Sequence, residues 1–218
     1  MISIGNDIIS LQLINPERTK QKKFYSKIIC KQETELFSSV CESNISFEKF
    51  VWLAWSIKES VYKFNKRNNM EAAFSPTKII IEKIELPVLE NVFRFNDKVY
   101  ENIVFKKKEC YCCEVRFNSS ALYARTIIND EMIFTVVNDT DYFENVYCGI
   151  KEIDNDSYVH QSESVRHFVL NKLNQLFQNK NFSIQKSETG YPFIQEKKYL
   201  PLSFAHHGSF VAYAFATA

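Results

Sequence analysis

Glycine and proline are scarce in this chain, at 4 and 5 of 218 residues. That scarcity excludes collagen-like, low-complexity and disordered classes, which are rich in one or both. Long apolar runs are missing as well: none approaches the roughly 20 residues that cross a bilayer. The opening residues, MISIGNDIIS, lack a basic segment followed by an apolar one, so no secretory leader is expected. The six cysteines, Cys30, Cys41, Cys110, Cys112, Cys113 and Cys148, show no disulfide-framework spacing. The cluster at Cys110–Cys113 has no second pair and no nearby histidine to complete a zinc site, so buried free thiols are expected. Together these absences place the chain in the cytosol. An excess of one charge is lacking too. With 27 Lys and Arg against 26 Asp and Glu, the net charge is +1, which speaks against bulk nucleic-acid binding through the basic segments.

What is present suffices for a sizeable core: 45% hydrophobic residues, including 19 Phe and 11 Tyr. Residues 1–10 read as a strand with Gly5 as a bulge or a close-approach point. Asn15 and Pro16 read as the start of a helix, ERTKQKKFYSKII, that carries Arg18, Lys20, Lys22, Lys23 and Lys27. A short helical piece, KQETELFSSV, follows. Ser46 then caps a long helix over residues 47–64, with Glu48 at the positive end of its dipole. From Thr77 the pattern changes to strands: 77–86, 93–100, 102–110, 111–117 and 131–137. After a loop at 138–145 come a strand at 145–153 and a helix at 162–177, capped by Ser162 or Ser164. Two strand–turn–strand units, 182–194 and 200–216, close the chain.

The two parts repeat each other weakly. Residues 2–9 resemble the strand around Gly149, and residues 121–138 resemble 200–216. The fold class expected is α+β: a pseudo-twofold pair of halves, 1–140 and 141–218, each with a helix packed on an antiparallel sheet. Asp7 falls opposite Lys151, and His206 falls opposite no histidine. A composite site at the junction follows, with acidic groups from one half and basic groups from the other.

One stretch stands out, Trp55 to Lys63 (WSIKESVYK). Trp55, Glu59 and Lys63 are spaced i, i+4, i+8 and share one helix face. Such a stripe is either a core edge with an ion pair or the wall of a site for a metal ion and a phosphorylated ligand. Trp52 and Trp55 read as core rather than as a ligand stack.

GNDII near the start, Glu33, and WSIKESVYK together resemble the 4′-phosphopantetheinyl transferase superfamily, whose pattern is G-x-D-[IV] followed by [FW]-[ST/A]-x-K-E-[AS]-x-x-K. SVRHF (Arg166), GYPFI (Gly190 to Ile194) and FAHHGSFVAYA (His206) resemble the first half of the larger pseudodimeric transferases that activate peptide synthetases, so the order of the halves is exchanged. The resemblance implies transfer of 4′-phosphopantetheine from coenzyme A to a serine of an apo acyl or peptidyl carrier protein, releasing adenosine 3′,5′-bisphosphate. It implies Mg²⁺, or Mn²⁺, held by Asp7 and Glu59. Hard carboxylate oxygens suit such an ion, which takes one or two protein carboxylates plus waters and phosphates. Glu59 and Lys63 would be the catalytic residues, with Glu59 or a metal-bound water as the base. Coenzyme A would be held by Lys58, Lys63, Arg166, Gly190 and His206. Arg18, Lys20, Lys22, Lys23 and Lys27 would dock the acidic carrier protein, and the fused halves would act as a monomer.

The sequence departs from the pattern at Tyr191, where the family has a lysine, and at Ala205 and His207, which flank His206 in place of small hydroxyl residues. NKRNNM stands where glycines usually follow Lys63. These departures keep a second hypothesis open, a catalytically silent protein of the same fold that binds a carrier protein or coenzyme A.

Overall fold

A strand buried along its whole length needs cover on both faces. Of the strands buried throughout, two lie inside their sheets and organise this fold: β6 (Met132–Asn138) and β11 (Phe210–Ala216). The computed structural model describes residues 3–69, 71–89, 98–178, 181–188 and 190–217. In the first sheet, β6 lies between β1 (Gly5–Ser10) and β5 (Ser120–Ile128), followed by β4 (Tyr111–Phe117) and β2 (Ile79–Glu85). In the second, β11 lies between β10 (Leu202–His207) and β7 (Val146–Glu152), followed by β3 (Val99–Glu101). All pairings are antiparallel. The orders β1-β6-β5 and β7-β11-β10 correspond strand for strand, which is the topology of a repeat. β3 comes from the middle of the chain yet joins the second sheet. A small hairpin of β8 (Ile184–Lys186) and β9 (Pro192–Ile194) completes the strands described.

The protein is α+β. Four layers stack around three apolar clusters. The long helix α4 (Phe47–Lys66) packs Phe50, Leu53, Ala54, Ile57 and Val61 on the outer face of the first sheet. The two sheets meet face to face through Ile4, Ile8, Phe134 and Val136 on one side and Cys148, Ile150, Ala212 and Ala214 on the other. The last helix, α5 (Tyr158–Phe177), covers the second sheet with Val165, Phe168, Val169 and Leu173. In β11 the period of two is complete: Phe210, Ala212, Ala214 and Ala216 face the first sheet, and Val211, Tyr213 and Phe215 face α5.

Gly5 marks a close approach. A Cβ there would lie 1.9 Å from the carbonyl oxygen of Ser60 and 2.8 Å from the amide nitrogen of Phe64, so only glycine lets α4 lie this near β1. Ser46 caps α4 as expected, its hydroxyl accepting from the Lys49 amide at 3.3 Å. All six cysteines are free, and five are buried.

Three expectations are corrected. The basic helix is two single turns, α1 (Pro16–Thr19) and α2 (Lys22–Tyr25), divided at Gln21, whose ψ of 126° is extended. Only Thr19 is buried in the first turn, so no continuous apolar stripe holds a longer helix together. A further helix, α3 (Lys31–Leu36), then runs into a π-helical turn, Phe37–Cys41. The strand expected at 102–110 is irregular. Asn102 is left-handed at φ 57°, Glu109 closes a turn onto Lys106, and three consecutive lysines offer no alternating face. Ile103 and Phe105 still reach the inter-sheet core. Finally, α5 starts one turn before the expected caps, with Ser157 as its N-cap. Of the strand expected at 93–100, residues 93–97 lie outside the described residues.

Candidate functional site

Among the described residues one edge of β1 has no strand partner, and β10 fills it with side chains. The Asn6 amide donates to Ser203 Oγ at 3.0 Å, and the Ser10 amide donates to His207 Nδ1 at 2.9 Å. This seam brings the motifs of the two halves together. It also accounts for two departures from the family pattern: His207 takes part in the seam, and Ala205 is buried in the inter-sheet core.

On the α4 side of β1, Asp7 meets the stripe singled out in the sequence. Lys63 Nζ lies 3.0 Å from Asp7 Oδ1 and 3.3 Å from Glu59 Oε1, so one ammonium bridges two carboxylates. Asp7 is buried, while Glu59 and Lys63 keep about a quarter of their side chains in contact with solvent, at 29% and 24%. Burial pushes the Asp7 carboxyl up to about 6, Lys63 opposing and Glu59 reinforcing the rise. Burial works against the Lys63 ammonium, but Asp7 and Glu59 outweigh it and hold its pKa above the usual value. Asp7 Oδ2 is buried with no hydrogen-bond partner. Among the described residues no group of three or more His, Cys, Asp or Glu is arranged to hold a metal. Two carboxylates, one with an unpaired buried oxygen and one open to solvent, nonetheless fit an ion such as Mg²⁺, whose remaining ligands come from water and phosphate.

Beyond Lys63 a cleft of about 300 Å³ opens between the end of α4 and the N-terminal turns of α5, floored by β10 and the Gly190–Pro192 loop. Lys63, Gly190 and His206 line it, and so does Ser162, which the sequence suggested as a cap. Gly190 has φ of 87°, which favours glycine. His206 sits edge-on to Tyr158, their ring centres 5.6 Å apart. Burial, then Lys63, lowers the His206 pKa, so the imidazole is neutral at pH 7.

Two sequence-derived assignments do not reach the cleft. Lys58 is wholly buried, and its Nζ donates to Glu33 Oε2 and to the Ile28 carbonyl, each at 2.7 Å. Glu33 also accepts from the Cys30 and Ile81 amides. Lys58 therefore ties α4 to α3 and β2, and its ammonium is sealed from any ligand; its expected part in coenzyme A binding is corrected to a structural one. Arg166 is half-buried on α5, with Nε lacking a partner, and does not line the cleft.

Among the cleft residues not singled out in the sequence are Lys66, Arg67, Tyr158 and Lys186. Lys66 and Arg67 follow Lys63 at i+3 and i+4, a spacing that was legible; Lys186 arrives through the tertiary fold alone. Arg18, Lys20, Lys22, Lys23 and Lys27 are all exposed, although Lys20 is paired with Glu48 at 2.8 Å. Beside them a shallow pocket is lined by Phe24, Ile28, Trp52 and Trp55. Trp52 and Trp55 thus line this second pocket, with Trp55 edge-on to Phe74.

Fold and site define an α+β protein with two carboxylates at the head of a cation-lined cleft, chemistry suited to a phosphorylated ligand. The chain belongs to the 4′-phosphopantetheinyl transferase superfamily, whose sequence model matches residues 3–115, the segment that holds Asp7, Glu33, Lys58, Glu59 and Lys63. The family transfers phosphopantetheine, takes coenzyme A as substrate with a divalent metal typically present, and acts on carrier proteins. Neither the curated proteins nor the solved structures searched contain a match to the chain.

Proposed function

We propose that this protein transfers 4′-phosphopantetheine from coenzyme A to the active serine of an apo acyl or peptidyl carrier protein, as a holo-carrier-protein synthase that depends on Mg²⁺. The observation that carries the reading is the Lys63 ammonium, held at 3.0 and 3.3 Å by Asp7 and Glu59 at the head of the cleft.

Asp7 and Glu59 would hold the divalent ion, which when bound neutralises and orients the pyrophosphate. The serine oxygen forms a bond to the phosphorus of the pantetheine phosphate. The bond from that phosphorus to the bridging pyrophosphate oxygen breaks, and adenosine 3′,5′-bisphosphate leaves with the electron pair. Glu59, partly open to solvent, takes the serine proton. Lys63 stabilises charge on the phosphate oxygens as a point donor. His206 and Gly190 bound the nucleotide end. In this scheme residues 1–140 supply the metal ligands and the carrier surface, and 141–218 supply the nucleotide wall. The exposed Arg18, Lys20, Lys22, Lys23 and Lys27 steer an acidic carrier. The protein works as a cytosolic monomer, its two fused halves supplying both walls of the cleft within one chain.

The test is mass spectrometry of apo carrier proteins incubated with the protein, coenzyme A and Mg²⁺. A gain of the phosphopantetheine mass that disappears with Asp7→Ala or Glu59→Ala supports transfer. Several acidic carriers that bind without gaining mass would instead support the second reading, an accessory binder. One observation favours that reading: the Lys63 ammonium is already engaged by both carboxylates.

A further inference from the structure

The cysteine cluster at 110–113 takes no part in the carboxylate cleft or in the seam. Cys110 and Cys112 belong to the core between the sheets, whereas Cys113 packs in the core beneath α4. The alternation of a strand puts the first two on one face, and their sulfurs lie 3.9 Å apart. The turn before β4 cups both: Cys110 Sγ donates to the Lys106 carbonyl at 3.2 Å, and Cys112 Sγ lies 3.7 Å from the Lys107 carbonyl. Arg125 stands directly opposite Cys112 in the β4–β5 ladder. It is buried, paired with Asp141, and its guanidinium lies over the Phe143 ring, 5.0 Å from the centre. Cys112 also lines a polar cleft of about 120 Å³, with Lys107, Tyr123, Arg125 and Asp141 on its walls. A molecule of a few atoms has room there beside the sulfur. The Cys110 thiol, then Arg125, lowers the Cys112 pKa against the effect of burial, while the neighbouring Cys112 raises that of Cys110. Burial raises those of Cys113 and Cys148.

We infer that Cys110 and Cys112 form an oxidisable dithiol, a modification site at which a small hydroperoxide such as hydrogen peroxide leaves an intrachain disulfide. This site is independent of the transfer reading. Cys112, beside the cleft and opposite a guanidinium, is the attacking thiol. Its thiolate sulfur bonds to one peroxide oxygen, the oxygen–oxygen bond breaks, and the departing hydroxide takes up the thiol proton as water. Cys112 is then a sulfenic acid. The Cys110 sulfur attacks the Cys112 sulfur, the sulfur–oxygen bond breaks, and a second water leaves with the Cys110 proton. The dithiol is oxidised by two electrons and the peroxide is reduced to two waters. To bond, the sulfurs must close from 3.9 Å to about 2 Å. Cys110 is free to make that move, because β4 begins at Tyr111 and its pairs with β2 and β5 do not include Cys110. The shift falls on the irregular segment before the strand and breaks no ladder pair.

The experiment is peptide mass spectrometry of the reduced full chain, treated while folded with hydrogen peroxide. The peroxide is then removed, and the protein is unfolded in N-ethylmaleimide so that every remaining free thiol is alkylated. The peptide holding Cys110, Cys112 and Cys113 is expected to lose the mass of two hydrogens and to carry a single maleimide, on Cys113. Dithiothreitol before alkylation should restore three maleimides. Oxidation of the pair should run at least about tenfold faster than that of Cys148, whose burial keeps it a thiol. In Cys110→Ser the reaction should stop at the Cys112 sulfenic acid, which dimedone traps; in Cys112→Ser neither the trap nor a disulfide should form at this peptide. The unaltered chain alone decides the matter if a variant fails to fold. Oxidation spread evenly over the six cysteines, oxidation of the half-exposed Cys30 while the pair stays reduced, or a disulfide that forms only after unfolding overturns the inference, and each leaves the transfer reading untouched.

Discussion

Asp7 shows how a single residue is set by its surroundings. A carboxyl at about 6, against 3.8 in the open chain, means that the folded state prefers it protonated. The stability tied to the neutral form is complete below about pH 4 and is lost as pH rises through 6. That rise corresponds to at most on the order of 3 kcal/mol, with the opposing effect of Lys63 already contained in it. Asp7→Asn should therefore be more stable than the unaltered protein at pH 7, by about 1–3 kcal/mol, while losing transfer activity. Urea unfolding at pH 4, 5 and 7 checks this, since the advantage should vanish at the lowest pH. A gain of the same size at every pH would mean that the carboxylate charge is not its cause. Asp7, Glu59 and Lys63 were legible in the sequence because two lie at i, i+4 on one helix and the third sits within the GNDII strand motif. Lys58 was misread because its partner, Glu33, meets it only through the fold, as does Ile28, whose carbonyl shares the same ammonium.

At the scale of elements, α4 is held at three points. Gly5 lets β1 approach it, the apolar stripe seats it on the first sheet, and the Lys58–Glu33 pair binds it to α3 and β2. A buried pair gains stability only while both partners remain. Lys58→Met leaves Glu33 buried as an uncompensated charge and should cost about 3–5 kcal/mol. Adding Glu33→Gln should restore much of that. If the role is structural, the double variant keeps its coenzyme A affinity, whereas a direct ligand role would leave affinity lost after stability returns. The same scale shows where sequence patterns failed. The basic segment reads as one helix by composition but lacks a stripe to bury. The cap of α5 was assigned to serines inside the helix because Ser157 is followed by Tyr158 and Val159, which are exposed and so break the expected periodicity.

For the molecule as a whole, the decisive feature is the seam between β1 and β10. His207 accepts from the Ser10 amide through Nδ1, and a protonated ring cannot do so. Burial holds the His207 pKa below its usual 6.5, with Glu59 opposing. The sign is opposite to that of Asp7: the contribution is present above about pH 6.5 and is lost as pH falls through the lowered value. His207→Ala should destabilise the protein by about 1 kcal/mol at pH 7.5, and the difference from the unaltered protein should shrink toward pH 5. Chemical unfolding across that range measures it; a difference that grows on acidification would exclude the seam as the source.

By itself the sequence determined the α+β class, the long helix with its cap, the free thiols, the weak repeat and the acidic pair with its lysine. Each is a local pattern: a period of two or 3.6, a capping residue, or a spacing along one helix. The tertiary structure alone decided that Lys58 is sealed inside, that Arg166 stands outside the cleft, and that Lys186 and Tyr158 enter it. It also decided that Ala205 and His207 serve the joint between the sheets. Those outcomes depend on which distant surfaces meet across β1 and β10, and no spacing within a single segment records that.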